Sequence, residues 1–166
     1  MRMRKLSVIA LALAVSGAAH AGLVGNKFTV SAPITVSANN NTTVTWAPAG
    51  NITVSGFAVG HTLGTLNISA TGSHDSIRIS GEDVAVRSGV VNIPFKNEQG
   101  EPGFRGRFYI EANAIDVIDS GIDGQPGWRI DSTDESFSLP VRSLDPVASL
   151  NPGTYTATFY VQQWKN

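Results

Sequence analysis

Residues 24 to 38 read VGNKFTVSAPITVSA, and residues 153 to 166 read GTYTATFYVQQWKN. In the second stretch Tyr155, Ala157, Phe159 and Val161 alternate with Thr156, Thr158, Tyr160 and Gln162, the period of a strand with one face against a core. The sequence stops directly after it. An immunoglobulin-like sandwich ordinarily sets one more strand beside such a strand, so a fold short of one strand is expected, with an apolar groove and two unpaired backbone edges. In the first stretch Phe28, Val30, Ala32, Ile34, Val36 and Ala38 alternate with Lys27, Thr29, Ser31, Pro33, Thr35 and Ser37. One face of this segment wants a core as well. Yet it follows Gly22, contains Gly25, and carries Pro33, which cannot donate a ladder hydrogen bond and would be unusual in a central strand. It reads either as an ordinary first strand or as a detachable one. A detachable strand at one end and a strand-shaped gap at the other suggest donor-strand complementation, in which the segment of one subunit fills the groove of the next. Such a contact is head-to-tail and need not close into a ring, so its product is a fibre. Ordering the segment costs more than its buried side chains repay, so ladder hydrogen bonds and the covering of the acceptor's own groove must supply the rest.

The intervening sequence supports an all-β fold. From residue 22 onward there are 14 Val, 11 Ile and 13 Thr but only 6 Leu, and β-branched residues fit a pleated, half-buried surface. Alternation places strands near 43–46, 62–71, 76–80, 90–95, 104–112, 135–141 and 154–164. Turns are expected at 49–51, 72–73, 97–103, 119–127 and 151–153, while 112–120 fits neither period and reads as irregular or as a short extra strand. Short strands at this spacing imply a sandwich. The chain of 166 residues contains no cysteine, which excludes disulfides, thiolate catalysis and cysteine-based zinc sites.

The beginning of the chain is an address. Residues 1 to 21, MRMRKLSVIALALAVSGAAHA, show a basic segment with Arg2, Arg4 and Lys5, an apolar run from Leu6 to Val15, and a small-residue cleavage site ending at Ala21. A signal peptide cut between Ala21 and Gly22 is expected. The apolar run is about half the ~20 residues that a spanning helix needs, and no later segment approaches that length, so no membrane span is expected. The full chain has 12 basic and 13 acidic residues. Losing the three bases of the leader changes the formal charge from −1 to −4 (9 bases against 13 acids), and no run gathers like charges, so nucleic acid is not an expected partner.

Several stretches are similar to those of a known family: GLVGNK (22–27), the interrupted VGTLNISATG (within 59–72), IPF (93–95), FRGR (104–107), GIDG (121–124), GWR (127–129) and GTYTATFYVQQW (153–164). They span almost the whole chain after residue 21, in order. The sequence resembles the major fimbrial subunits assembled by the chaperone/usher pathway, in particular those of the Salmonella enteritidis (Sef) type. The resemblance implies an incomplete immunoglobulin-like β-sandwich lacking its last strand, completed by a donor strand from a neighbouring subunit. It also implies identical subunits joined head-to-tail, a periplasmic chaperone, an outer-membrane usher, and export through the periplasm to a cell-surface fimbrium, with room for a tip adhesin and a host receptor as further partners. Residues 1–21 would be the signal peptide, 22–38 the N-terminal donor-strand extension and 39–166 the immunoglobulin-like pilin domain. Phe28, Val30, Ala32, Ile34 and Val36 would be the donor plugs. Val44 and Trp46 would form one wall of the acceptor groove, and Tyr155, Ala157, Phe159 and Val161 the other.

Other constellations are weaker. The only neutral-pH bases after the leader are His61 and His74, and in His74-Asp75-Ser76 adjacent strand residues point to opposite faces and cannot form a triad. No enzyme activity and no cofactor are expected. The segment DSGIDG (119–124) echoes a calcium loop, but Gly121 and Ile130 occupy positions that need ligands, so a turn is the reading. Arg105 and Arg107 could meet an acidic glycan, although a solvated strand edge explains them as well. Trp46, Trp128 and Trp164 could form a sugar platform, although core tryptophans are the better reading. The expected function is that of a polymerising fimbrial major subunit that supports adhesion. The alternative is a monomeric secreted β-sandwich adhesin or carbohydrate-binding module whose first strand stays in its own sheet.

Overall fold

The computed structural model describes residues 40–50, 52–109 and 113–166. These residues form ten strands and no helix: β1 (Asn41–Pro48), β2 (Thr62–Thr71), β3 (Ser76–Gly81), β4 (Ala85–Arg87), β5 (Val90–Lys96), β6 (Pro102–Phe108), β7 (Ile115–Val117), β8 (Gly127–Ile130), β9 (Ser136–Ser143) and β10 (Phe159–Trp164). Every pairing is antiparallel. One sheet runs β1-β2-β9-β6-β5-β4 and the other β10-β3-β8-β7. The all-β expectation holds.

The two sheets enclose one apolar core, and alternation decides which residues enter it. On β2 the buried residues Leu66, Ile68 and Ala70 alternate with Thr65, Asn67 and Ser69. The register of β2 against β9 shifts between Thr62 and Gly64, a bulge that lets Leu63 turn inward although its parity opposes that of Leu66. Ile77 and Ile79 of β3 stand opposite Ile130 and Trp128 of β8, and all four are buried. Val91, Ile93 and Phe95 of β5, Phe104 and Phe108 of β6, and Leu139 and Val141 of β9 complete the core. Phe108 meets Trp128 edge-on with ring centres 4.8 Å apart, a favoured aromatic geometry.

Several expectations need correction. Residues 127–130 are strand β8, where a turn was expected to extend through Gly127, and β4 went unforeseen. Residues 154–158 are not part of β10; they cross to the first sheet, where Thr156 and Lys96 exchange backbone hydrogen bonds of 2.8 and 2.9 Å. Of the three tryptophans only Trp128 is in the core, while Trp46 and Trp164 are 37 % and 45 % exposed. Arg105 and Arg107 do not mark a solvated edge, because β6 is paired on both sides, with β5 and β9. The 119–124 segment is a tight turn in which Asp123 and Gly124 take φ of +54° and +73°. The donor-strand residues Phe28, Val30, Ala32, Ile34 and Val36, and the cleavage pair Ala21 and Gly22, lie outside the described residues.

Candidate functional site: the open flank of the sandwich

A sandwich of two sheets has two flanks where the sheet edges approach, and in this fold they differ. At one flank the edge strand β7 reaches the opposite sheet through Asp116, whose carboxylate accepts the Val91 N–H at 3.2 Å. A side chain bridges the two sheets there. At the other flank β1 is paired only with β2, and β10 only with β3. Among the described residues neither strand has a strand partner on its second edge. Their free N–H and C=O groups therefore form two rails, a template for an added strand.

The side chains between these rails are apolar. Val44 and Trp46 stand opposite Ile68 and Leu66 of β2, which are buried, so both point toward the interior. They nevertheless remain 40 % and 37 % exposed, because nothing described covers them. On the other rail Phe159 and Val161 are half-buried and pack on the core, as does Ala157 just ahead of the strand, while Tyr160 and Gln162 are exposed. Phe159 is opposite Gly81 and Val161 opposite Ile79. The indole of Trp46 crosses between the rails: it stacks on Phe159 (6.0 Å between centres, 23° between planes) and lies 6.1 Å from Phe95 beneath. A glycine makes room for it, since a Cβ on Gly64 would collide with the Trp46 ring.

Polar contacts bound the flank at its ends. Gln163 Nε2 donates to the carbonyls of Asn41 and Thr71, each at 3.0 Å, tying the end of β10 to the β1–β2 pair. At the opposite end the Lys96 ammonium pairs with Asp83 and with Glu82, the latter at 3.3 Å. Its side-chain hydrogen bond to Asp83, then that to Glu82, raises its pKa above the usual lysine value. The Arg105 guanidinium lies away from the flank, donating to Asn92 Oδ1 at 2.8 Å, and burial followed by the charge of Arg87 lowers its pKa.

Of the residues singled out in the sequence, Trp46 and Phe159 are in contact, Val44 and Val161 lie on the same two rails, and Ala157 precedes β10. Tyr155 is elsewhere. Its ring packs on Phe104 at 5.3 Å and its hydroxyl donates to the Asn151 carbonyl at 3.1 Å, so it closes the far end of the core rather than facing Trp46. Phe95 and Gln163 belong to the flank and were not singled out. Gln163 carried a readable signal, being the polar end of the inward series Tyr155, Ala157, Phe159, Val161. His74 shows why the His-Asp-Ser run is not catalytic machinery. Its ring is buried with Nδ1 3.1 Å from the Gly72 carbonyl and Nε2 3.1 Å from the Asp134 carbonyl, a staple between two turns.

Residues 3–166 match the family model of the SEF14-like adhesins. The chain belongs to the SEF14-like adhesin family. It is also 44 % identical, over the full length of both chains, to a fimbrial protein of Salmonella enteritidis. Its fold is similar to that of HdaB, the minor tip subunit of the Escherichia coli Hda pilus, with a TM-score of 0.59 over 75 % of this chain and 84 % of that one at 15 % identity. It is similar as well to CssB of the enterotoxigenic Escherichia coli colonization factor CS6, solved with a donor strand from CssA, with a TM-score of 0.50 over 74 % and 83 % of the two chains at 15 % identity. The fold is thus the immunoglobulin-like sandwich of pilus subunits. Membership of the SEF14-like family makes the chain a fimbrial adhesin subunit, a structural protein of the kind its residues suggested.

Proposed function

We propose that this SEF14-like chain is the polymerising major subunit of a surface fimbria, and that its open flank is the acceptor groove for residues 22–38 of a neighbouring subunit. The observation that carries this reading is the pair of facing, unpartnered edges β1 and β10 with inward-pointing but exposed Val44 and Trp46 between them. A strand inserted there would gain backbone hydrogen bonds from both rails and would cover an apolar floor, the two terms that make strand addition favourable. The alternating residues Phe28, Val30, Ala32, Ile34 and Val36 supply a matching apolar face. Val44, Trp46, Ala157, Phe159 and Val161 would receive it.

Before assembly the same groove would be filled by a strand of a periplasmic chaperone, and an outer-membrane usher would exchange that strand for the donor. Residues 1–21 would direct export and be cut between Ala21 and Gly22. On this reading donor and acceptor are different surfaces of one subunit, so the contact would propagate head-to-tail into a fibre. Aspartate at Val30 or Ile34 tests the donor assignment, because a buried unpaired carboxylate is costly. Val30→Asp and Ile34→Asp should each stop polymerisation while subunit–chaperone complexes still form, the chaperone occupying the groove and not the donor. Normal fibres from both variants would refute the assignment.

A further inference from the structure

The inner face of β10 lines the open flank, and its outer face lines a second feature. Tyr160, Gln162 and Trp164 have the opposite parity to Phe159 and Val161, and Tyr160 and Trp164 are 48 % and 45 % exposed. Gln162 is opposite Arg78 of β3. The Arg78 guanidinium lies 5.2 Å from the centre of the Trp164 ring and donates through Nη1 to the Ser120 carbonyl in the turn between β7 and β8. That turn folds over the outer face of β3, where Ser80 Oγ donates to the Pro126 carbonyl at 2.7 Å. Between turn and sheet is a cleft of about 440 Å³ lined by Arg78, Asp119, Asp123, Gln162 and Trp164, within the range of small-molecule sites.

We propose that this cleft is a binding subsite for a neutral hexopyranose unit of a glycan. The lining chemistry selects that class. With Arg78 over one face of its ring, Trp164 still leaves 45 % of its surface exposed for the C–H groups of a sugar ring, while carboxylates accept from hydroxyls and Arg and Gln donate to them. One cation against two carboxylates leaves the cleft net negative, which disfavours sialylated or sulfated sugars. The ordinary weakness of a single shallow sugar site is offset by repetition, since each copy along a fibre would present one cleft and many weak contacts combine into avidity. The avidity and the fibre preparation rest on the polymerising reading, whereas the cleft itself does not, because the two sites use opposite faces of β10.

The test uses the full chain assembled on the bacterial surface and sheared off as fibres. Saturation-transfer NMR with lactose, maltose and methyl mannoside probes neutral hexoses, and 3′-sialyllactose probes an acidic one. Trp164→Ala removes the platform, and Asp123→Asn removes a carboxylate while keeping a residue that tolerates the left-handed backbone at φ +54°. The expected result is millimolar binding of at least one neutral sugar, weakened tenfold or more in both variants, with fibre assembly unchanged and sialyllactose weaker than lactose. Absence of transfer to all three neutral sugars would overturn the proposal. So would binding that stays within twofold in both variants, or sialyllactose binding as strongly as lactose through the same residues.

Discussion

Replacing Trp46 by alanine should cost more stability when the groove is filled than when it is open, and the difference can be worked from the structure. With 37 % of its surface exposed, Trp46 already has about two-thirds of a side chain covered. A tryptophan buries roughly 200 Å², so at about 25 cal/mol per Å² the covered part is worth ~3 kcal/mol, with about 1 more from stacking on Phe159 and Phe95. Compactness of the unfolded chain trims such sums, giving roughly 2–3 kcal/mol for Trp46→Ala in the open subunit. A donor strand would cover the remaining third, about 70 Å², and add ~2 kcal/mol, so the cost in a filled subunit should be about 4–5 kcal/mol. A filled monomer can be made by moving residues 22–38 behind a short flexible linker to the C-terminus, beside β10. Urea unfolding of this rearranged protein and its Trp46→Ala variant gives the difference from the shift in midpoint and a shared slope. A cost of only 2–3 kcal/mol would mean that the segment leaves Trp46 uncovered, and the proposed location of the donor would be refuted.

Other predictions concern the same flank and the opposite one. Gly64→Ala should displace the Trp46 indole, because the added Cβ occupies the ring's position; its fluorescence should shift to the red in the rearranged monomer and donor binding should weaken, whereas an unshifted spectrum would contradict the packing described. Asp116→Ala should destabilise the domain by about 1–3 kcal/mol, the cost of leaving the Val91 N–H without its acceptor, while donor uptake at the opposite flank stays normal. Melting temperature together with a peptide-binding assay separates these two effects. The rearranged monomer itself should no longer polymerise, and size-exclusion chromatography would reveal fibres if the donor segment were not satisfied within its own chain.

Much of the fold was legible because long strands with one buried face write a period of two into the sequence. Residues 62–71 were bounded correctly for that reason, and the inward series Ala157, Phe159 and Val161 follows from the same alternation. Short strands carry no such record. β4 and β7 are three residues long and β8 four, too few for a period, and β8 is held by the burial of Trp128 and Ile130 against β3, a contact between distant segments. Alternation also says which face a residue occupies but not whether anything covers that face. Core burial is the ordinary expectation for a tryptophan on an inward-pointing strand position, yet Trp46 is 37 % exposed, and that exposure reflects the missing neighbour of β1, a property of sheet order. Tyr155 sits in the same alternating series as Phe159, yet the chain changes sheets between them, and the Thr156–Lys96 pairing that causes the change has no local signature. The Arg105 and Arg107 pair misled in a similar way, since nothing local distinguishes an edge strand from the central strand β6.

The central claim is that a strand from outside completes this sandwich. It is tested most directly by thermal unfolding of a chain beginning at Asn39, with and without an added peptide spanning Gly22 to Ala38. The account predicts a weakly folded or aggregating domain that the peptide converts into one with a much higher melting transition, and a complex that dissociates slowly. A truncated domain that melts cooperatively and is indifferent to the peptide would show a sandwich already complete, and would contradict the account.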